Sequence, residues 1–257
     1  MPDKINLSIE ARTTSKRLPG KVLKKINDIP MLEILIEKCK KSKAINNIIV
    51  STTINKTDDP IVELSKKLNV NFFRGSENDV LGRVYQTHLE YKSDIIVELT
   101  GDNPLQDPNI IDDCVYKFLK SDFDFLNNGA LDPFRTYPDG MDVAVFSIDT
   151  LKDAENKTKD FDAAIKLSKN KEILKDSYEN NKNRFREHVI LFMKTSGIYS
   201  TFCMHPNNDF LKRPELSFTV DTLRDFQFIE KIVKKFKNLN FSLEDIIKVI
   251  DKYKIIH

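Results

Sequence analysis

Glycine is scarce in this chain: seven residues in 257, with no Gly-x-Gly anywhere. That excludes the glycine-rich dinucleotide fingerprint, whose backbone has to come close to a pyrophosphate. A P-loop is excluded too, because the position five before Gly20 is Ser15 and Lys21 is followed by Val22. Cysteine is limited to Cys39, Cys114 and Cys203, far apart and without Cys-x2-Cys spacing. They read as small buried hydrophobes in a reducing compartment. There is no His-x3-His pair or Cys/His cluster to suggest zinc, and no Gly-x-Ser-x-Gly elbow of the common serine hydrolases. His88, in a predicted helix, and His257 read as structural or solvent-facing. No apolar run reaches the roughly 18 residues of a membrane span, and residues 1–20 hold no signal-peptide core, which points to a soluble cytoplasmic protein without membrane insertion. An excess of either charge is missing as well: 41 basic against 39 acidic residues leave +2, so no global field draws the chain to nucleic acid. Recognition by charge has to be local.

Such a local concentration follows the first apolar run. Ile5-Asn6-Leu7-Ser8-Ile9 alternates as a strand does, and Ala11-Arg12-Thr13-Thr14-Ser15-Lys16-Arg17-Leu18-Pro19-Gly20-Lys21 then places four cations and three hydroxyls in a turn-forming segment. At the carboxyl end of a first strand, where open α/β sheets bind ligands, Arg12, Lys16, Arg17 and Lys21 suit a polyphosphate held by side-chain charge. A solvated basic loop is the competing reading.

The pattern beyond is strand, helix, strand, helix. Strands are predicted at 5–10, 47–53, 71–73, 94–99 and 123–126, and helices at 31–41, 60–68, 79–91 and 109–119. Asp59-Pro60 and Asp107-Pro108 serve as N-cap and first-turn proline. Short joints between them imply crossover connections, hence a mostly parallel α/β sheet with helices on both faces. Past residue 128 the pattern changes. Asn128-Gly129 and Pro138-Asp139-Gly140 are turn signals flanking Asp132 to Tyr137, and Met141–Phe146 alternates like an edge strand. From Met141 to Ser196 there is neither Gly nor Pro, and Glu155 to Arg184 reads as a helical or poorly ordered excursion. Arg186-Glu187-His188 opens an apolar helical run, 197–202 reads as a strand, and amphipathic helices follow at 223–236 and 243–253. The length fits one domain, 1–257, with a nucleotide-binding half (1–127), a small α+β lobe for acceptor binding and a candidate for dimerisation (128–205), and a terminal portion (206–257) with a metal-bearing strand and closing helices.

Two carboxylates stand out. Asp102, in Thr100-Gly101-Asp102, follows the apolar run Ile95–Leu99, and Asp221 ends the strand-like Ser217–Thr222 just before a helix. Carboxylates at strand ends supply the hard oxygens that Mg2+ prefers when it bridges nucleotide phosphates. Asp221 reads equally well as the N-cap of the following helix.

These residues carry a resemblance. The segment Ala11–Lys21 followed by Ile29-Pro30-Met31-Leu32 resembles the opening of the cytidylyltransferases that activate 3-deoxy-manno-octulosonate and related acidic sugars, and most of all their spore-coat-polysaccharide relatives. It continues in family order through Ile49–Thr53, Arg74–Arg83, Thr100–Leu105, Tyr137–Asp142 and Val220-Asp221-Thr222. The resemblance implies a nucleotide-diphospho-sugar transferase fold (GT-A-like, Rossmann-type), CTP as donor, Mg2+ as cofactor, a small anionic acceptor and a homodimer. It implies that Ala11, Arg12, Ser15, Arg17 and Lys21 bind the nucleotide, the last four against its triphosphate, that Thr52, Ser76 and Arg83 lie near the nucleoside, and that Asp102 and Asp221 bind the metal, with Lys21, Arg17 and Asp102 catalytic. Tyr137, Asp139, Asp142, Arg186, Glu187 and His188 are expected around the acceptor, with Arg186 suited to an anion by its planar fork. The plain reading of the last three is a helix start. Two other classes stay open: a glycosyltransferase of the same fold, whose Asp-x-Asp candidates are Asp122-Phe123-Asp124 and Asp160-Phe161-Asp162, and a non-catalytic nucleotide-binding protein.

Overall fold

The alternating run at the start of the chain forms β1 (Ile5–Glu10), which pairs in parallel with β4 (Asn47–Thr53) on one side and β6 (Ile95–Thr100) on the other. The computed structural model describes residues 3–129, 135–170 and 183–257. With β5 (Asn71–Gly75), β7 (Phe125–Asn127), β8 (Ala144–Ser147) and β9 (Thr201–Cys203), a seven-stranded sheet runs in the order β5-β4-β1-β6-β8-β7-β9. It is mostly parallel, with β8 antiparallel to both of its neighbours. A separate hairpin, β2 (Lys25–Ile26) and β3 (Ile29–Pro30), turns at Asn27 and Asp28, both in the left-handed conformation that short polar side chains tolerate.

Period-two alternation sends Leu7, Ile9, Val50, Val97 and Leu99 into the larger core, shared with α1 (Met31–Cys39), α2 (Asp59–Lys67), α4 (Pro108–Leu119) and the helices Leu223–Val233 and Leu243–Tyr253. Ile96, Phe125 and Phe146 pack on the other side with α3 (Val80–Glu90) and α5 (Ile148–Lys157), together with Ala164 of α6 (Phe161–Leu167) and Phe185 and Phe192. The second lobe therefore has its own core but is fastened to the common sheet through β8 and β9. His88 is fully buried, its Nδ1 on Ser93 Oγ at 2.8 Å, and burial pulls the imidazole down to about 3, so it is neutral and structural.

Several expectations need correction. The segment read as an edge strand is interior: Ala144, Val145 and Phe146 are buried on both faces between β6 and β7. Ser217–Thr222 is not a strand. It makes one bridge, Ser217 with Asp139, and the Val220 amide then donates to the Asp102 carbonyl at 2.9 Å before the helix begins. The apolar run after Arg186 splits into two short helices, Arg184–Glu187 and Leu191–Thr195, with His188 extended between them. The β-branched pair Val189-Ile190 favours that break. Asp58, rather than Asp59, stands at the N-cap of α2, and its side chain does not cap. Asp107 caps α4 as expected and also accepts from the Leu243 amide at 2.6 Å, which ties the last helix to the sheet. Parts of the 155–184 excursion and of the 132–137 turn, residues 171–182 and 130–134, lie outside the described residues.

Lys38 of α1 is 1% exposed, donates to the Phe241 carbonyl at 2.7 Å and stands 4.0 Å over the Phe241 ring. Burial, opposed by Asp107, lowers its pKa from 10.5 to about 8. The unfolded chain keeps that proton up to 10.5 while the folded chain releases it near 8, so Lys38 makes stability rise with pH across that window. In Lys38→Met the rise should be absent. The unfolding free energy of the parent chain is expected to gain on the variant by about 3 kcal/mol from below pH 8 to above pH 10.5, read by urea denaturation. Parallel curves would show that the ammonium carries no burial penalty.

Candidate functional site

The connection leaving β1 passes to β4 on one side, whereas β6 lies on the other, so the carboxyl ends of β1 and β6 open a crevice. Residues 11–21 and Asp102 both emerge there. The loop is closed by the Gly20 amide on the Thr13 carbonyl at 2.8 Å and hung on β4 by the Ala11 amide on the Ser51 carbonyl at 3.2 Å. Two acids that the sequence reading passed over fix its shape. Asp58 accepts from the Thr13 amide (2.8 Å) and hydroxyl (2.6 Å) and from Thr53 Oγ1 (2.5 Å). Its burial would raise the carboxyl, but the Thr13 and Thr53 hydrogen bonds outweigh that and hold it below its ordinary value. Glu77 meets Arg12 at 3.4 Å, accepts from the Thr14 hydroxyl, and takes Asn55 Nδ2 at 2.5 Å. Both stand next to residues that the sequence does single out, Asp58 beside the Asp59-Pro60 cap and Glu77 beside Ser76, but their own partners lie far along the chain. Arg12, Lys16 and Arg17 remain exposed at the mouth, and Ser15 is half-buried.

The two singled-out aspartates come together. Lys21 Nζ donates to Asp102 Oδ2 and to Asp221 Oδ1, both at 2.9 Å, and to the Val220 carbonyl at 2.7 Å. Arg17 Nη2 reaches the other Asp221 oxygen at 2.7 Å. Asp221 is not the helix cap: Thr222 is, in a capping box with Asp225, and Asp225 also takes the Asp221 amide at 2.9 Å. That leaves the Asp221 carboxylate directed at Lys21 and Arg17. Asp102 is oriented by Thr100 Oγ1, which donates to its Oδ1 at 2.6 Å, while Asn103 Nδ2 donates to Thr100 Oγ1 at 3.0 Å.

Gly101 is required by close approach, since a Cβ there would lie 2.7 Å from the Glu10 carbonyl oxygen. Gly101→Ala is expected to cost about 1–3 kcal/mol of unfolding free energy, measured in urea, because backbone rather than a flexible side chain would have to yield. Unchanged stability would show that β1 and β6 separate at little cost.

Of the expected nucleoside neighbours, Thr52 and Arg83 lie beneath the surface, whereas Ser76 is exposed. Ala11 and Thr52 are buried, and Thr52 Oγ1 donates to Asp58 at 3.4 Å. Arg83 is 3% exposed, holds the Ser76 carbonyl at 2.6 Å and Ser51 Oγ at 3.3 Å, and faces Glu10 at 4.0 Å. Burial lowers its pKa, opposed by Glu10. Ser76 Oγ accepts from the Asp79 amide at 3.0 Å.

The expected acceptor residues are not brought together as one group. Pro138-Asp139-Gly140 docks on Leu216–Phe218, with the Phe218 amide on the Asp139 carbonyl at 2.7 Å, and Gly140 is at φ +86° where a Cβ would strike the Phe218 backbone. Asp142 forms a bidentate pair with Arg135 at 2.7 and 3.0 Å, and Asp139 accepts from Ser217 Oγ at 3.1 Å. Tyr137 is 4% exposed in the larger core, where burial, with Cys114, raises its phenol above the ordinary value. Arg186 does not meet the Asp139 turn. Its guanidinium is taken up by Asp79 (2.7 Å), the Glu155 carboxylate (3.2 Å) and carbonyl (3.0 Å), and Thr158 (3.2 Å), which joins α3 to α5. Glu187 and His188 keep solvent access. Burial lowers the His188 imidazole, and Glu10 and Arg12 are within its electrostatic reach, which places it beside the basic loop.

Among the described residues no group of three or more His, Cys, Asp or Glu converges on a metal position. Asp102 and Asp221 offer oxygen alone and converge on one cation, a donor set that fits a hard divalent ion sharing its remaining positions with phosphate oxygens and water. Neither Asp-x-Asp candidate offers such an arrangement: Asp124 accepts from the Ser200 amide and hydroxyl, both at 2.8 Å, and Asp160 caps α6.

The sequence profile described as "Cytidylyltransferase" matches residues 8–252. An uncharacterized protein of Methanocaldococcus jannaschii is 38% identical over 246 residues, covering 95% of this chain and 89% of its own length. The spore coat polysaccharide biosynthesis protein SpsF of Bacillus subtilis is 28% identical over 234 residues, covering 88% and 85%. The solved structure of a cytidylyltransferase from Leptospira borgpetersenii superposes with a TM-score of 0.82 at 30% identity, over 98% of this chain and 95% of that one.

Proposed function

Because the chain belongs to the cytidylyltransferase family, we propose that it transfers CMP from CTP to an acidic sugar or small phosphorylated acceptor, releasing pyrophosphate, with Mg2+ as cofactor. The observation that carries this reading is the Lys21 ammonium at 2.9 Å from both Asp102 and Asp221, at the mouth of a loop of exposed cations. The name of the SpsF relative supports a place in the synthesis of a surface polysaccharide or glycoconjugate.

The triphosphate lies against Arg12, Ser15, Arg17 and Lys21. Asp102 and Asp221 are the residues that would hold Mg2+, which would supply charge neutralisation to the triphosphate. Lys21, released from the two carboxylates, follows the charge that builds on the α-phosphate and the leaving pyrophosphate. The acceptor oxygen, any hydroxyl proton passing to solvent, bonds to the α-phosphorus as the bond from that phosphorus to the oxygen bridging to the β-phosphate breaks, and pyrophosphate leaves with that oxygen. Such transfer depends on position and neutralised charge more than on a covalent nucleophile. Asp139, Asp142, Glu187 and His188 border the acceptor side, and Arg186 shapes it by holding α3 to α5. The chain works as a homodimer in the cytoplasm on this reading. No helix among the described residues is long and apolar enough to cross a membrane.

The test is incubation with CTP, Mg2+ and a panel of acidic sugars and phosphorylated small molecules, reading pyrophosphate. Pyrophosphate should appear only when CTP and an accepted acceptor are both present. Binding of CTP without pyrophosphate across the panel would favour a non-catalytic role, and cleavage of a nucleotide sugar without pyrophosphate would favour a glycosyltransferase.

A further inference from the structure

Beginning on the strand that leads to Asp102, β6, β8 and β7 place Glu98, Ala144 and Asn127 in register across the sheet. The small side chain of Ala144 between two longer polar ones leaves a hollow, and a cavity of about 120 Å3 lies there, closed by Ile190 and Lys194. It is well below the ~300 Å3 of a pocket for a whole drug-sized ligand, so it admits one end of a molecule.

Its chemistry is unusual for a protein interior. Glu98 and Asn127 are each 5% exposed, yet Glu98 Oε1 and Asn127 Oδ1 have no hydrogen-bond partner. Buried oxygens are almost always paired, so two orphans lining one cavity point to a ligand that donates to both. The neighbouring groups choose among donors. Asp142, also in the wall, is already paired bidentately by Arg135 and offers no free charge. Burial, and then the charge of Glu10 and a side-chain hydrogen bond with it, raises the Glu98 carboxyl well above its ordinary value, which disfavours the charged form that would attract a cation. Lys194, which donates to the Gly129 carbonyl at the rim, brings positive charge that repels an ammonium group. What remains is an uncharged donor such as hydroxyl. Thr100 and Asn103 line the same cavity, and Thr100 holds Asp102 at 2.6 Å, so a molecule seated there has its other end at the reaction centre.

We propose that Glu98 and Asn127 form a specificity site that reads an uncharged, hydroxyl-bearing end of the acceptor. Identifying the occupant as the acceptor rests on the cytidylyltransferase reading, whereas the preference for hydroxyl rests on the cavity alone.

The test uses saturation-transfer NMR on the full chain with CTP and Mg2+, with ribitol as uncharged polyol and ethanolamine as ammonium probe, and calorimetry of CTP binding in parallel. Ribitol is expected to show transfer and ethanolamine none. Asn127→Leu and Glu98→Leu should each lower the ribitol signal by ~5-fold or more, with CTP affinity unchanged, since each leaves a hydroxyl unpaired. Glu98→Gln, which keeps a carbonyl oxygen facing the cavity, should retain the signal. Should Glu98→Leu fail to fold, the Asn127→Leu and Glu98→Gln pair decides. No ribitol transfer to the parent chain, equal transfer in Asn127→Leu, or a preference for ethanolamine would overturn the proposal. Loss of CTP binding with the ribitol pattern intact would instead remove the cytidylyltransferase reading and leave the hydroxyl site standing.

Discussion

Asp102→Asn is expected to lower turnover by at least about 100-fold while the thermal midpoint stays within a degree or two, an electrostatic loss of the size seen when a preorganised charge is removed from a reaction centre. The geometry explains why stability should be spared. Asn keeps an oxygen to accept from Thr100, and Lys21 retains the Val220 carbonyl and Asp221. What disappears is one of the two negative charges available to a divalent ion, so the half-saturating Mg2+ concentration should rise along with the loss in kcat. Near-normal activity at limiting Mg2+ would remove Asp102 from the metal site.

Lys21→Ala makes a second large prediction with a signature of its own. Turnover should again fall by about 100-fold or more, because the charge that follows the leaving pyrophosphate is gone. In the absence of ligand, Asp102 and Asp221 would lose the cation they share, leaving Arg17 as the nearest compensation at 2.7 Å from Asp221. The variant should therefore melt lower than the parent chain without Mg2+, and Mg2+ should raise its midpoint by more than it raises the parent's, since binding to the folded form is no longer in competition with an ammonium. An equal Mg2+ response in both proteins would mean that the ion does not compete with Lys21 for these oxygens.

The sequence was most legible where local rules govern. β1 falls where its alternation marks it, β4 at the residues read as a strand, and α4 starts at the Asp-Pro signal that announced it. The carboxylate pair was legible because both acids follow apolar runs at turns. The mistakes have a common physical origin, which is partnership with residues far along the chain. Met141–Phe146 looked like an edge because its alternation continues through Asp142, yet long-range pairing buries Ala144–Phe146 between two strands. Arg186 looked like an anion fork because nothing local occupies it, and its partners Asp79 and Glu155 stand 107 and 31 residues away. Asp58 gave no signal beside the Asp59-Pro60 cap pattern, because its carboxylate is drawn to Thr13, 45 residues earlier. A polar side chain in a sequence shows what it can bond to, but the fold decides which partner is near.

The antiparallel pairing of β8 with β6 bears on how enzymes built this way can diversify. Glu98 stands opposite Ala144 and Ile96 opposite Phe146, so a slip of one residue would turn Phe146 out of its core and destroy the lobe. The distance between β8, which lines the proposed acceptor cavity, and β6, which leads to Asp102, is therefore locked as a ruler is, and a lineage cannot adjust it in small steps. New acceptors have to be accommodated by exchanging side chains along that fixed ruler, at positions such as Ala144 and Asn127, or by lengthening the loops beyond its ends. Substrate range can drift in such a scaffold while the reaction centre stays in place.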